Sequence, residues 1–457
     1  MSQQLEDTPI WLDIKQILDN TSVPQRFEYT GEVHTVTSDI PVMKIINFDI
    51  VCDYVNETGE IIWIDFAMPL GVYLRQLYPN RNNLEMTIFT QQLQAVGSNY
   101  ASNTSPSSTR YKAVFSAQNP TYTGAEYDLY TQMQLDLLDV VKVKLQLINR
   151  SMECLRIMTI SGVYTNITME QLMYGLIGGS ANRMLVDGKS SLDGLDIVKP
   201  NNTKTYDQIV IREGTQLTSL PTYLQEKSYG VYNGGIGTFI CKWNNSNYCF
   251  VYPLFDQTRF ASDTKKIVIY SAPRLRTYGV DRTYREDSNV VYVLATSSKN
   301  FVDSGEAEYM THGVGFTMAD ANAMMKKPVT MTKDGPVGAQ SNLNFNVSLK
   351  TRDDGLNFGP VADREVSANP FAQYSRVLSR EGAKIDFVWH NSNPDLIFPG
   401  MMGKFVFMEN GKINEYQGTV LFKHTVVQSE TQGIASSTHT VTTWITMHMW
   451  TDSGLQT

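Results

Sequence analysis

The chain has little cysteine. Four residues, Cys52, Cys154, Cys241 and Cys249, are spread over 457 positions with no Cys-x-x-Cys among them. That spacing excludes the usual cysteine zinc sites and dithiol redox motifs. Cys241 and Cys249 flank Trp243-Asn244-Asn245-Ser246-Asn247-Tyr248, which reads as a hairpin turn. With Trp243 opposite Tyr248, Lys242 would face Cys249 and Cys241 would face Phe250, leaving the sulfurs diagonal. Free, half-buried thiols are therefore expected, as suits a reducing compartment.

Charge is also scarce. Charged residues make up 18% of the chain, the net charge is −8, and no basic run exceeds two residues (Lys265-Lys266, Lys326-Lys327). Sequence-independent nucleic-acid binding needs clustered cations to displace counterions from phosphate, so stable DNA binding is disfavoured. A conduit through which DNA slides wants the negative sign. The N-terminal Met1-Ser2-Gln3-Gln4-Leu5-Glu6-Asp7 lacks the basic and apolar regions of a secretory signal. No apolar run approaches the length of a membrane span.

Catalytic patterns are missing too. Asp187-Gly188-Lys189-Ser190 imitates the end of a phosphate-binding loop, but Arg183 stands where the first glycine belongs. Gly234-Gly235-Ile236-Gly237 lacks dinucleotide spacing and lies between strand signals, as a turn leading into a hairpin. The six histidines (34, 312, 390, 424, 439, 448) form no His-x-x-x-His. His424, His439 and His448 fall on neighbouring predicted strands, where packing or solvation is the simpler role. No Gly-x-Ser-x-Gly elbow occurs. A glycan hydrolase needs two carboxylates across a cleft, and the pairs available are Asp53 with Asp65 around one hairpin, or Asp353-Asp354. Tyr229, Tyr232, Trp243 and Tyr248 could form a sugar face, but their types suit core and contact packing. Met324-Met325 and Met401-Met402 fit packed interfaces as gap-fillers. No catalytic, cofactor-binding or metal-ligating residue is expected.

What is present is β pattern. Hydrophobic residues form 42% and aromatics 11%, enough for several cores. Ile10, Trp11, Ile14, Ile17 and Leu18 have helical spacing, in a short helix free to dock on the body or on a neighbour. Strands are predicted at 42–50, 61–66, 84–89, 111–115, 140–148 and 155–161, with 97–110 as an exposed loop. Thr168 caps a helix through Met169, Leu172, Met173, Leu176 and Ile177 that ends at Gly178-Gly179. A second helix starts near Ser219 with Pro221 in its first turn and reaches Lys227. A hairpin at 237–255 and strands at 266–271 and 289–296 follow. The stretch 298–375 is weakly patterned, with one short helix at 318–326. The clearest alternation comes last: Ala383, Ile385, Phe387 and Trp389 share one face and Lys384, Asp386, Val388 and His390 the other. A turn at Phe398-Pro399-Gly400, strands at 404–408, 415–427 and 438–450, and a tight turn at Asn410-Gly411 complete the unit.

The expected fold is mainly β with an α+β middle: two small antiparallel β-barrels plus a mixed α/β insert. The expected division is an N-terminal segment with a short helix (1–31), a first β-barrel (32–165), a mixed middle domain with hairpin and further strands (166–300), an extended arm (301–375) and a second β-barrel (376–457).

The run Ser379-Arg380-Glu381-Gly382-Ala383-Lys384-Ile385-Asp386-Phe387 with Phe398-Pro399-Gly400-Met401 resembles the closing barrel of baseplate hub proteins of contractile phage tails, relatives of the hub part of type VI secretion spike proteins. Similar stretches are Leu220-Pro221-Thr222-Tyr223-Leu224-Gln225, Tyr229-Gly230-Val231-Tyr232, Gly234-Gly235-Ile236-Gly237, Val251-Tyr252-Pro253-Leu254, and Arg352-Asp353-Asp354-Gly355-Leu356-Asn357-Phe358 with Asn369-Pro370-Phe371. The resemblance implies a tail-hub-like fold with two barrels per subunit. It implies a homotrimer ring, sixfold-like toward the tail tube protein and threefold toward the central spike protein, with baseplate wedge and tape-measure proteins as further partners. It also implies a virion protein of the tail baseplate, made in the host cytoplasm, with no enzymatic activity and an intersubunit arm over 352–370. The long middle and arm depart from that pattern. The alternatives are a tail-tip polysaccharide depolymerase, or a receptor-binding or neck tail protein on the same barrels.

Overall fold

The computed structural model describes residues 9–19, 26–96, 99–102, 106–115, 140–256, 258–271, 283–302, 316–319, 346–349, 383–409, 412–430 and 438–449. The arm residues 352–370, the Asn410-Gly411 turn and residues 320–326 lie outside this set. The first strands are β1 (Arg26–His34), β2 (Asp39–Pro41), β3 (Lys44–Asp53), β4 (Ile61–Pro69), β5 (Leu84–Val96), β6 (Asn99–Ser102), β7 (Ser107–Phe115) and β8 (Val140–Asn149). The middle holds β9 (Thr159–Tyr164), β10 (Leu185–Val186), β11 (Lys189–Ser190), β12 (Gly194–Ile197), β13 (Ile209–Gln216), β14 (Gly237–Trp243), β15 (Ser246–Tyr252), β16 (Lys266–Ser271), β17 (Tyr284–Asp287) and β18 (Val290–Val302). Then come β19 (Phe316–Ala319), β20 (Asn346–Leu349), β21 (Ala383–His390), β22 (Met402–Glu409), β23 (Lys412–Ser429) and β24 (Thr438–Met449).

Fifteen of these strands form one sheet, and its pairings trace two circuits. The first runs β1–β5–β7–β8–β4–β3–β23–β24 and back to β1, every step antiparallel. Side-chain alternation dictates its interior. Ile62, Ile64 and Phe66 of β4 point inward, with Val141, Val143, Leu145 and Leu147 of β8, Leu84, Met86 and Ile88 of β5, and Val427 and Val441 of the last two strands. Leu70, Tyr73 and Leu77, from the helical segment after β4, join the same core.

The second circuit runs β24–β21–β18–β16–β22–β23 and back to β24. The expected alternation of β21 holds: Ile385, Phe387 and Trp389 are buried, whereas Lys384 and Asp386 are exposed. An all-antiparallel unit does not form. β16 is parallel to both β18 and β22, so the sheet is mixed. Long connections, such as the one between Ser271 and Val290, supply the crossover that parallel neighbours require. The pair β23–β24 belongs to both circuits, which is possible because β23 is 18 residues long. Its residues 412–419 pair with β22, and its residues 422–428 pair with β3.

A third core, built from Met152, Leu155, Met169, Leu172, Ile177, Leu220, Leu224, Tyr232 and one face of the hairpin β14–β15, forms the middle. The N-terminal helix α1 (Pro9–Leu18) docks on the body, with Ile17 against Val268, Tyr270, Leu294 and Val406, and Tyr270 Oη donating to Asp13 Oδ2 at 2.6 Å.

Several local readings change. Only 159–161 of the expected strand 155–161 are in a strand. Asn149 accepts from Ser151 N and Met152 N, capping a helix at Arg150–Arg156, and β9 starts only at Thr159. The helix capped by Thr168 continues through Gly178 and Gly179, both right-handed helical, to Arg183. Residues 97–110 are not a continuous loop but include β6 and the start of β7. Met318 and Ala319 lie in β19, not in a helix. The hairpin β14–β15 pairs Trp243 with Ser246 across Asn244 and Asn245, both at positive φ, so its register is tighter than expected.

Candidate functional site

The chemical candidates are dispersed by the fold. Asp187 and Gly188 are the two positive-φ residues of the β10–β11 hairpin, and Asp187 pairs with Arg150 Nη1 at 2.7 Å. Gly235, at φ 75, turns the chain into β14. Asp53 accepts from Val55 N and Asn56 N, each at 3.0 Å, and so closes the β3–β4 turn. Asp65 lies opposite Asn47 and pairs with Lys142 Nζ at 2.9 Å. Asp53 and Asp65 are therefore six positions apart along β3, roughly 20 Å. Asp353-Asp354 lie outside the described residues.

The histidines do not converge. His439 and His448 are separated by nine positions on β24, roughly 30 Å. His439 faces inward and its Nε2 lies 3.0 Å from Ile45 O; His448 packs against the Phe255 ring. His424 is on the outer face, its Nε2 2.5 Å from Asp49 Oδ1 and its ring stacked on Trp444. Among the described residues no group of three or more His, Cys, Asp or Glu is placed to hold a metal. The aromatic set also divides. Tyr229 stacks on Tyr206, Tyr232 is buried in the middle core, and Trp243 and Tyr248 pack with Phe250. The four thiols, Cys52, Cys154, Cys241 and Cys249, are free. Three are fully buried rather than half-buried, and burial pushes Cys52 and Cys249 up to about 12.

What the fold does assemble is a polar seam between the two circuit cores. Along β23 the inward residues run Leu421, Lys423, Thr425, Val427, and along β24 they run Val441, Thr443, Ile445. Leu421 and Ile445 belong to the second core, and Val427 and Val441 to the first. Between them Thr443 Oγ1 bonds Ser392 Oγ at 2.7 Å and Thr425 Oγ1 at 3.2 Å. Lys423 Nζ donates to Pro394 O and Ile397 O, both at 3.3 Å. Ser392, Pro394 and Ile397 all lie in the connection 391–401 between β21 and β22. The β3–β4 turn abuts the same place: Tyr54 N donates to Leu421 O, and Ile240 N donates to Thr58 O. Glu60, in that turn, has its carboxyl pushed up to about 7, chiefly by desolvation, with Lys423 and Lys242 opposing and Asp395 adding to the shift. Three cores thus meet around a polar joint.

The sequence reading missed Lys423, Thr425 and Thr443. Its only trace was a lysine and a histidine on opposite parities of one strand, and the irregularity between Val420 and Phe422 hides which parity faces inward.

Residues 131–275 match a family model described as Bacteriophage PBS1 gene 109 protein. No curated protein sequence matches the chain. Among solved structures the chain is similar to the 43 kDa tail protein of prophage MuSo2 from Shewanella oneidensis, at 8% identity and a TM-score of 0.46, over 92% of this chain and 98% of that one. It is similar to the tail protein from Neisseria meningitidis MC58, at 9% identity and a TM-score of 0.44, over 92% and 96%. It is also similar to a Francisella PdpA-VgrG complex, at 11% identity and a TM-score of 0.42, over 93% and 53%. The chain spans 53%, 66% and 62% of the three PdpA-VgrG chains it matches. The chain is also similar to a chain of the phage P2 baseplate, at 9% identity and a TM-score of 0.29, over 92% of this chain and 98% of that one.

Proposed function

We propose that the chain is a structural virion protein, a baseplate hub ring that connects the tail tube to the central spike and lines the DNA conduit. The observation that carries this reading is the pair of strand circuits fused through β23–β24. Read as two β-barrels, they are two side-by-side units held in one fixed orientation, because neither circuit closes without the shared pair. In this reading residues 32–165 supply most of the first barrel, 376–457 with strands from 166–300 supply the second, 1–31 carries the docking helix, and 301–375 is the arm. Three copies closing head to tail would present six barrels to a hexameric tube and a threefold face to the spike. A net charge of −8 without basic clusters suits a wall that phosphate slides past. Wedge and tape-measure proteins would contact the rim and the bore. No catalytic, cofactor or metal role enters the proposal.

Native mass spectrometry of the purified chain, alone and co-expressed with the spike, tests the ring: a trimer is expected in at least one condition. A clean monomer in both conditions, with labelled copies at the tail periphery and not on its axis, would contradict it.

A further inference from the structure

The outer face of the first circuit holds an arrangement that neither the sequence motifs nor the polar seam accounts for. Strands β2, β1, β5 and β7 lie side by side there. His34 is opposite Asp39 on β2 and opposite Glu85 on β5. Thr87 comes two positions after Glu85, so it is the diagonal neighbour of His34 on the same face. The contacts follow from that register: His34 Nδ1 lies 2.7 Å from Asp39 Oδ1, and His34 Nε2 lies 2.7 Å from Thr87 Oγ1. A closed turn sets the carboxylate against the ring. Thr35 N donates to Ser38 O at 2.9 Å and Ser38 N donates to Thr35 Oγ1 at 3.0 Å, which returns the chain from β1 to β2 just before Asp39.

Elementary chemistry fixes where the protons sit. An ionised carboxylate only accepts, so Nδ1 carries the proton that bonds Asp39. In the neutral imidazole Nε2 is then an acceptor, and the Thr87 hydroxyl donates to it. Nucleophile, base and orienting carboxylate are thus in the order that activates a hydroxyl. The His34 side chain is 16% exposed and held in place, whereas Asp39 is open to water at 65%. Thr87 is half-buried, so a small reagent reaches its oxygen.

The charged groups around the hydroxyl are Glu32, opposite it on β1, Glu85, and Arg110, opposite it on β7. Arg110 Nε donates to Glu85 Oε2 at 2.6 Å, so a guanidinium is fixed beside the site. Phe89, the next outward residue of β5, offers a half-buried ring to an acyl group. The backbone of β5 is engaged on both sides, by β1 and by β7. The rate gain therefore rests on base-assisted attack, worth about 10²–10⁴-fold.

We propose that Thr87 is an acyl-accepting nucleophile, with His34 as its base, for small activated carboxylic esters. Thr87 Oγ attacks the carbonyl carbon while His34 Nε2 takes the hydroxyl proton. The bond from that carbon to the leaving oxygen breaks, and the leaving group departs with the proton from His34. Water, deprotonated by His34 in its turn, cleaves the Thr87 ester, releases the acid and restores the hydroxyl. Asp39 acts through His34 as a positioning residue. The site is independent of whether the chain forms a ring.

The test exposes the intact chain to p-nitrophenyl acetate and quantifies acetylated peptides by mass spectrometry. Thr30, exposed on the same face of β1, is the internal reference. Thr87 should gain its acetyl ester about a hundredfold faster than Thr30. His34→Gln keeps the bulk and removes the base, and it should bring Thr87 down to the Thr30 rate. Asp39→Asn should slow Thr87 by about fivefold, the worth of an exposed pair, with the melting temperature unchanged. Thr87→Val should abolish the label at that position and the p-nitrophenolate release that accompanies it. Equal rates at Thr87 and Thr30 in the wild type would overturn the proposal, as would a His34→Gln protein labelled at Thr87 as fast as the wild type. If a variant does not fold, the wild-type ratio of the two threonines still decides.

Discussion

The two strand circuits solve the same closure problem by different routes. The first takes six of its eight strands from residues 26–149, pairs them all antiparallel, and fills its interior with Ile, Val, Leu and Met around a few aromatics. The second collects strands from 266–302 and 383–449, places β16 parallel to both neighbours, and packs large aromatics: Phe387, Trp389, Phe405 and Tyr284. It also leans on the middle hairpin, since Phe239, Phe250 and Tyr252 belong to its core. The first is a mostly local assembly that borrows two strands, and the second is built from distant segments. Sharing β23–β24 is what makes them one body.

Truncation inside the second circuit should therefore be felt by the first. Trp389 is fully buried, its Nε1 donates to Thr283 Oγ1 at 2.9 Å, and its ring meets Tyr284 edge-on. Trp389→Ala should cost about 3–5 kcal/mol. Phe66→Ala, in the first core, should fall in the same range. Urea denaturation followed by tryptophan fluorescence and far-UV circular dichroism should give a single transition for both variants. Two separated transitions would break the comparison, because they would make the circuits independent.

The shared pair itself should tolerate little. Gly418 lies opposite Gly403 and Met449, and a Cβ there would come 2.0 Å from His448 O. Gly418→Ala should destabilise by about 1–3 kcal/mol by forcing the strands apart, measured as a fall in the denaturation midpoint. A smaller effect is expected at the end of β8, on the margin of the first circuit. Asn149→Ala removes the cap on Ser151 N and Met152 N and should cost about 1 kcal/mol, with loss confined to the junction of β8 and the following helix.

The joint should respond to protons. Glu60 is held above its ordinary carboxyl range, at about 7, so the folded chain binds this proton more tightly than the unfolded chain does. Its contribution is fully present below the unfolded carboxyl range and is lost as pH rises through about 7. Thermal melts from pH 5.5 to 8.5 should show a decline that Glu60→Gln flattens. A variant that tracks the wild type across that range would remove Glu60 from the account.

Much of this architecture was legible in local pattern. The alternation Ile385, Phe387, Trp389, the Thr168 cap, the 237–255 hairpin and the β-branched run of β24 all came from side-chain periodicity and turn chemistry. What escaped was set elsewhere. Asn149 starts a helix where an apolar run imitated a strand. Gly178 and Gly179 adopt ordinary helical angles because Ala181 and Ile177 are held in the middle core. The pairing of β16 with β22 and of β23 with β3 joins strands more than 100 residues apart, as in Lys266–Met402 and Phe422–Asp53, and local pattern cannot register them. The seam was hidden for the same reason: Lys423 looks like an exposed residue of an alternating strand until both circuits are closed around it.

The most direct measurement is an electron cryomicroscopy reconstruction of the chain assembled with its spike. The account predicts three copies around the axis, six β-barrel lobes in a quasi-sixfold ring on one side, and adjacent lobes of each copy joined through β23–β24. A reconstruction with one barrel per copy, or with copies that do not close around a central bore, would contradict it.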